Sequence, residues 1–152
     1  MKNKTLVLPL LPPAVIVQNY LYDFYDPLLQ KIESLGMPLH FRFTKSPSKA
    51  IELIPEGAFP SLLITGHTFS DENLTGDDIA MKVREKNPLT IFCMVSSRGS
   101  DHPERFAKVF DAHSIGRGRI ISIVQAIQEF GPDLLPKNRA SFFASLREFI
   151  HS

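Results

Sequence analysis

The stretch Pro60-Ser-Leu-Leu-Ile-Thr-Gly66 is the clearest indication of the fold. Its consecutive apolar residues face both sides of a strand, which is typical of a central parallel strand covered on both faces. Two other short apolar runs, Ala14-Val-Ile-Val-Gln18 and Leu89-Thr-Ile-Phe-Cys-Met-Val95, predict further buried strands. Parallel neighbours must be joined by crossovers, usually helices, so strands and helices should alternate along the chain.

Apolar residues at helical spacing lie between these runs. The first such segment extends from Leu21 to Leu35 and ends at Gly36, a residue type common just after a helix. Pro27 lies inside this segment and leaves two alternatives open: Asp26 caps a helix that begins at Pro27, or the helix is kinked there. Further helices are predicted from Ser46-Pro47, over about 76–86, over 103–110 and after Gly116-Arg-Gly-Arg119, with an apolar stripe from Ile120 to Phe130.

Two more strands complete the pattern. Leu39-His-Phe-Arg-Phe43 alternates and predicts a strand with one wetter face, and Ala112 to Ile115 predicts a weak fifth strand. Five strands alternating with five helices predict a doubly wound α/β fold, a five-stranded parallel sheet in a three-layer sandwich. In such folds ligands bind beyond the carboxyl ends of the strands. Those ends are Gln18-Asn19, Gly66-His67, Ser96-Ser97 and Ile115-Gly116.

Length and composition fit one ordinary domain. The chain has 152 residues, of which 43% are hydrophobic and 22% charged, which excludes intrinsic disorder. The net charge of +1 argues against a dedicated nucleic-acid binder. The single cysteine, Cys93, excludes a disulfide scaffold and a thiolate zinc site and suggests the cytoplasm. The start from Met1 to Pro13 faintly resembles a signal peptide, but Pro9 interrupts its apolar run, and no run is long enough to span a membrane.

Three stretches resemble the response-regulator receiver domain, the flavodoxin-like phospho-acceptor module of two-component signalling and phosphorelay. Val15-Ile-Val-Gln-Asn19 stands where the family's first strand ends in two acidic residues. The stretch from Ser48 to Gly66 resembles the second helix and the acceptor strand, and that from Asp77 to Ser97 resembles the third helix and fourth strand. The resemblance covers residues 14–130 and leaves an N-terminal extension, 1–13, and a C-terminal extension, 131–152.

The resemblance assigns roles to particular positions. In the family, two carboxylates and the acceptor aspartate hold Mg²⁺, and the acceptor is the nucleophile for a phosphoryl group. The acid pair falls here on Gln18 and Asn19, and the acceptor falls on Gly66. The family's phosphoryl-binding lysine falls on Gly116 or Arg117, and only its hydroxyl is kept, as Ser96 or Ser97. These departures predict a non-enzymatic pseudo-receiver with neither metal nor cofactor.

The loop after the acceptor strand offers two other interpretations. Asp71 as the acceptor is disfavoured because it lies five residues past the predicted strand end. Asp71-x-Asn73-x-Thr75 resembles the start of a calcium loop, but the twelfth position is Lys82, where a glutamate is required. We therefore expect a solvated loop that ends in helix-capping residues. Cys93, in the middle of a strand, is expected to be a small buried hydrophobe.

A second hypothesis comes from another functional class. His67, His102 and His113 could lie near the carboxyl edge with Ser96, as in a small-molecule or nucleotide-binding sensor or enzyme. Their spacing matches no compact metal motif, and hydrogen-bonded or surface histidines are the commoner case. The stretches Ser96–Ser100 and Gly116–Arg119 could cradle an anion, but neither matches a phosphate-loop pattern, so both are expected to be turns.

The receiver hypothesis implies action through protein contacts. The partner would be a kinase, an output domain or a second copy of the chain, with no nucleic-acid or membrane partner. Receiver domains usually present the face of the fourth helix, fifth strand and fifth helix, which here contains Phe106, Val109, Phe110, Arg117, Arg119 and Gln125. A further helix capped by Asn138 carries a stripe of Phe142, Phe143, Leu146, Phe149 and Ile150. That stripe either packs on its own domain or forms a homodimer or partner interface.

Overall fold

The computed structural model describes residues 11–70, 72–96, 111–115 and 118–135. The strands are β1 (Pro13–Val17), β2 (His40–Thr44), β3 (Ser61–Thr65), β4 (Thr90–Ser96) and β5 (Ala112–Ile115). The helices are α1 (Tyr25–Leu35), α2 (Pro47–Leu53), α3 (Gly76–Lys86) and α4 (Arg119–Phe130). Short 3₁₀ turns lie at Leu21–Asp23, before α1, and at Gly131–Leu134, after α4.

All neighbouring strands pair in parallel, in the order β2-β1-β3-β4-β5. The predicted parallel α/β sheet is confirmed, and this strand order is the flavodoxin-like one. All five residues of β3 are buried, as expected for the central strand. The chain reverses its direction across the sheet between β1 and β3, which is where such folds bind ligands.

Helices cover both faces of the sheet. On one face, Leu28 and Ile32 of α1 pack with Ile123 and Ile127 of α4 against the strands. On the other face, α2 and α3 contribute a second cluster around Phe92 of β4. Neighbouring residues of β1, β3 and β4 face opposite clusters, so these three strands are buried from both sides, and their sequences are continuous apolar runs rather than alternating ones.

The start of α1 follows neither alternative considered at Pro27. The helix begins at Tyr25 with Phe24 as its N-cap, and Asp26 lies inside the first turn rather than capping it. Pro27 is the third helical residue. The first N–H groups of a helix have no intrahelical partner, so the missing N–H of proline costs little at that position and no kink is required.

The other helix starts carry the capping residues that the sequence indicates. The Ser46 hydroxyl accepts a bond from the Lys49 amide at the start of α2. At the start of α3, Thr75 and Asp78 form a capping box in which each side chain accepts from the other's backbone amide. Asn87-Pro88 ends α3 at Lys86, as predicted.

Several predictions fall outside the described residues. They are the helix over 103–110, the helix from Asn138 with its phenylalanine stripe, and the first ten residues of the N-terminal extension. In the part of the chain that is described, no helix is both long and apolar enough to cross a membrane.

Candidate functional site

The carboxyl ends of β1, β3 and β4 surround a cleft of about 230 Å³. It lies at the point where the strand order reverses, so the topology alone places it where ligands bind in doubly wound sheets. Its lining residues are Gln18, Asn19, Tyr20, Gly66, His67, Thr68, Val95, Ser96 and Arg119. Four of the six predicted pocket residues therefore meet here, and the other two, Ser97 and Gly116, lie outside the described residues.

Gln18 crosses the floor of this cleft. The pairing of Val17 with Thr65 brings Gln18 beside Gly66, at the ends of β1 and β3. The Gln18 side chain is buried, and its Nε2 donates to the Val95 carbonyl oxygen on β4 at 3.4 Å. A Cβ atom at position 66 would lie 3.1 Å from Gln18 Oε1, which is a tight contact. The amide can therefore pass over β3 comfortably because residue 66 is glycine.

Asn19 stabilises the loop after β3. Its Oδ1 accepts hydrogen bonds from the Ser70 backbone N–H at 3.0 Å and from the Ser70 hydroxyl at 2.9 Å. The oxygen of this amide thus joins the β1 end to the loop beyond β3. The amide nitrogen of Asn19, which can only donate, belongs to the same cleft-lining side chain.

Helix α3 starts directly against the end of β3. The Gly76 N–H donates to the His67 carbonyl at 2.8 Å, and the Gly66 N–H donates to the Val17 carbonyl at 2.9 Å. A Cβ atom at position 76 would overlap the Gly66 carbonyl oxygen. Gly76 is thus a close-approach glycine, a role that the sequence did not reveal because glycine is also common at helix starts.

The structure brings together only some of the residues of the second hypothesis, in which histidines and Ser96 meet at the carboxyl edge. His67 is 4% exposed, lines the cleft and has its Nδ1 2.9 Å from the Thr68 hydroxyl. Ser96 lines the same cleft. His113 lies on β5 opposite Met94, and His102 is outside the described residues. Of the four residues proposed for this chemistry, two are therefore placed together.

Arg119 and Tyr20 form a pair at the cleft that the sequence did not indicate. The Arg119 guanidinium carbon lies 5.4 Å from the centroid of the Tyr20 ring, and both residues line the cleft. Arg119, which the sequence predicts on a partner-binding face, is the exposed first residue of α4 and also lines the cleft. No local pattern could have paired two residues so distant in sequence.

The cleft has little negative charge. None of the described residues that line it is an aspartate or a glutamate. Nowhere in the described ranges do three or more His, Cys, Asp or Glu residues form a group suited to a metal ion. The amides of Gln18 and Asn19 are neutral, and Mg²⁺ in proteins is bound mainly through carboxylates and phosphates.

The loop that contains Asp71 stabilises a neighbouring helix. Asp71 itself lies outside the described residues, and the next residue, Glu72, accepts a hydrogen bond from the Ser46 hydroxyl at 2.7 Å. Glu72 also accepts from the hydroxyl and the backbone N–H of Ser48, at the start of α2. These bonds, first that from the Ser48 hydroxyl, hold the pKa of the Glu72 carboxyl below its ordinary value.

Cys93 is the small buried hydrophobe that the sequence predicts. Its side chain is 1% exposed in the middle of β4. Burial raises the pKa of the thiol to about 12, with smaller contributions from the negative charges of Asp111 and Glu129. A thiol of this kind is a poor nucleophile at neutral pH.

Comparison with known proteins gives a fold but no relative in sequence. No family model matches the chain, and no curated protein matches it. A CheY-like receiver domain from Methanospirillum hungatei is similar, with a TM-score of 0.65 and 17% identity over 82% of this chain and 96% of that one. The response regulator TrrA from Thermotoga maritima, in complex with Mg²⁺ and BeF, gives a TM-score of 0.60 and 12% identity over 82% and 99%.

An enzyme is also among the similar structures. An adenylate cyclase from Rhodopirellula baltica gives a TM-score of 0.58 and 13% identity over 77% of this chain and 84% of that one. At these identities the similarity establishes the fold alone. The chain has the fold of receiver domains, and a fold by itself does not determine an activity.

Proposed function

We propose that this chain is a pseudo-receiver, a non-enzymatic signalling module that is not phosphorylated on aspartate and acts through protein–protein contacts. The observation that carries the proposal is the set of residues at the ends of β1 and β3. Gln18, Asn19 and Gly66 line the cleft at the positions where the receiver resemblance requires two acids and the acceptor aspartate.

Aspartyl phosphorylation needs a nucleophile, a bound metal ion and space for the phosphoryl group. The described residues of the cleft argue against all three. Gly66 has no side chain to accept a phosphoryl group. Gln18 and Asn19 offer neutral amides, and the described lining of the cleft contains no carboxylate to attract Mg²⁺. Gln18 also occupies the space over Gly66, with its Nε2 on the Val95 carbonyl. The module is therefore proposed to signal without phosphate.

A partner that prefers one conformation of the module can shift its equilibrium without any modification. The proposed partners are a kinase, an output domain or a second copy of the chain. Among the described residues of the proposed face, Arg119 and Gln125 are exposed on α4. We also propose that the remaining residues of that face contact the partner, together with the stripe of Phe142, Phe143, Leu146 and Phe149. The division of the chain at residues 13 and 130 and a cytoplasmic location are proposed as well.

Two measurements test this proposal. Addition of beryllofluoride with Mg²⁺ should give no stoichiometric aspartyl adduct in the amide NMR spectrum, because Gly66 offers no carboxylate to receive it. Stoichiometric shifts around any aspartate would contradict it. Light scattering at tens of micromolar should detect a dimer if the phenylalanine stripe is a homodimer interface, and a monomer would contradict that part.

The cleft also supports a second candidate, a small-molecule sensor or enzyme. The observation in its favour is that His67 and Ser96 line one cleft at the carboxyl edge. A thermal-shift screen with nucleotides and metal ions tests it. Stabilisation by one compound would favour this candidate, and the absence of any shift would favour a module that acts through proteins alone.

A further inference from the structure

We propose that the cleft beside Arg119 binds a phosphate dianion, free or as a phosphomonoester, noncovalently and without a metal ion. This proposal names a class of ligand for the cleft of the proposed pseudo-receiver. It rests on that proposed function in one respect: the cleft does not hold an aspartyl phosphate.

The size of the cleft sets the class of ligand. Pockets for drug-sized ligands have volumes of roughly 300–1,000 Å³. A cleft of about 230 Å³ is smaller and suits a phosphate group with at most a short or partly exposed substituent. A nucleotide would not be enclosed by it.

Charge favours an anion. Arg119 is the one side chain with a permanent charge among the described residues that line the cleft. An arginine guanidinium presents a planar set of donors that matches two phosphate oxygens at once. The face of the Tyr20 ring, 5.4 Å from the guanidinium carbon, attracts the cation and favours its position at the cleft.

The rest of the lining supplies donors and does not repel an anion. Since Asn19 Oδ1 accepts from Ser70, the Asn19 amide group presents its nitrogen as a donor. Thr68 and Ser96 add hydroxyl groups to the same lining. The carboxylates of a metal-binding receiver would repel a phosphate unless a cation lay between them, whereas amides at positions 18 and 19 remove both the repulsion and the need for the metal.

The location of Arg119 adds to the positive electrostatic potential of the cleft. It is the first residue of α4, a helix of 12 residues. The N-terminal end of a helix carries a partial positive charge that adds to the field of the guanidinium. Cleft volume, permanent charge and donor groups thus favour the same ligand.

The test is an NMR titration of the full chain with inorganic phosphate and, separately, with phenyl phosphate, in the presence of EDTA and at matched ionic strength. We expect saturable amide shifts near residues 18–20, 66–68 and 119, with a dissociation constant of about 1 mM or lower. Tighter binding of phenyl phosphate would identify a phosphomonoester ligand, and equal binding would identify free phosphate. Either result supports the proposal.

Two variants that remove the same charge distinguish binding in the cleft from non-specific electrostatic attraction of phosphate to the protein. Arg119→Gln should weaken binding at least about tenfold, because it removes the bidentate donor. Arg42→Gln removes the same charge from an exposed position on β2 and should change binding by less than about twofold, since exposed distant charges are screened. The amide spectrum of each variant shows whether it is folded.

Three results would overturn the proposal: no saturable shift up to tens of millimolar phosphate, equal loss of binding in the two variants, or binding that requires added Mg²⁺. The first two would leave the proposed pseudo-receiver function intact. An adduct on an aspartate would instead overturn that function, so the two failures are distinguishable.

Discussion

The amide nitrogen of Gln18 donates to the carbonyl oxygen of Val95, 77 residues further along the chain, at 3.4 Å. This bond runs from the end of β1 to β4 and passes over Gly66 at the end of β3. It joins β1 to β4 at the carboxyl edge of the sheet, in the floor of the cleft. The same amide therefore holds β1 to β4 and occupies the space over Gly66.

The contact between Gln18 and Gly66 predicts energetic coupling. A methyl group at position 66 would lie 3.1 Å from Gln18 Oε1, so Gly66→Ala should lower the free energy of unfolding by about 1–2 kcal/mol. In a Gln18→Ala background the same change should cost less, because the obstructing atom is gone. Urea denaturation of the four proteins forms a double-mutant cycle. Strictly additive effects would show that the two residues do not contact each other.

Position 76 should be more sensitive than position 66. A Cβ atom there overlaps a backbone oxygen, that of Gly66, which cannot rotate away. We expect Gly76→Ala to cost about 3 kcal/mol, at the upper end for overpacking. Gly118→Ala, at the N-cap of α4, is the control; the nearest atom is Ile121 Cδ1 at 3.8 Å, so this change should cost no more than about 1 kcal/mol, from the weaker capping by alanine. Similar losses in both variants, measured by thermal or urea unfolding, would refute the close approach.

Acid should weaken the contact between Glu72 and the start of α2. Hydrogen bonds from Ser48 and Ser46 lower the pKa of Glu72 in the folded state. A lowered folded pKa gives stability that is present above the ordinary glutamate pKa and is lost as the pH falls through the folded value. Glu72→Gln should therefore remove part of the acid dependence of unfolding.

The exposed Glu56→Gln variant is the control for Glu72, and it should follow the wild-type pH profile. The effect is measured as urea midpoints from neutral pH down to about pH 3. A Glu72→Gln profile parallel to that of the wild type would contradict the assigned bonds. Because Glu72 is only partly buried, the difference should shrink as salt is added.

Cys93 should be protected from alkylation. Its side chain is 1% exposed and the pKa of the thiol is raised to about 12, so the native protein should react slowly with iodoacetamide at neutral pH. In denaturant the single thiol should react fully. Intact-mass spectrometry over time gives both rates. Complete labelling of the native protein at the denatured rate would mean that β4 is not buried as described.

Much of the fold could be predicted because its signals are local. The central strands are continuous apolar runs, and α3 is bounded by Thr75 and by Asn87-Pro88, whose capping and helix-ending properties do not depend on distant residues. The start of α1 could not be predicted. Proline is tolerated anywhere in a first turn, so the pattern at Pro27 fits several starting points.

Part of the candidate site could likewise be predicted from the sequence, and part could not. Residues at strand ends could be placed because parallel strands end at one edge, and Gln18, Asn19, Gly66 and Ser96 do meet there. The bond from Gln18 to Val95 and the cation–π contact of Arg119 with Tyr20 depend on side-chain directions between residues far apart in sequence. Those directions are set by tertiary packing, which no local pattern contains.

We expect that no aspartate of this protein accepts a phosphoryl group. The most direct measurement is intact-mass spectrometry after incubation with acetyl phosphate and Mg²⁺, beside an active receiver domain as the positive control. We predict that the control gains the mass of one phosphoryl group while this chain keeps its own mass. A stoichiometric phosphoryl adduct located on any aspartate, including Asp71, would contradict the account.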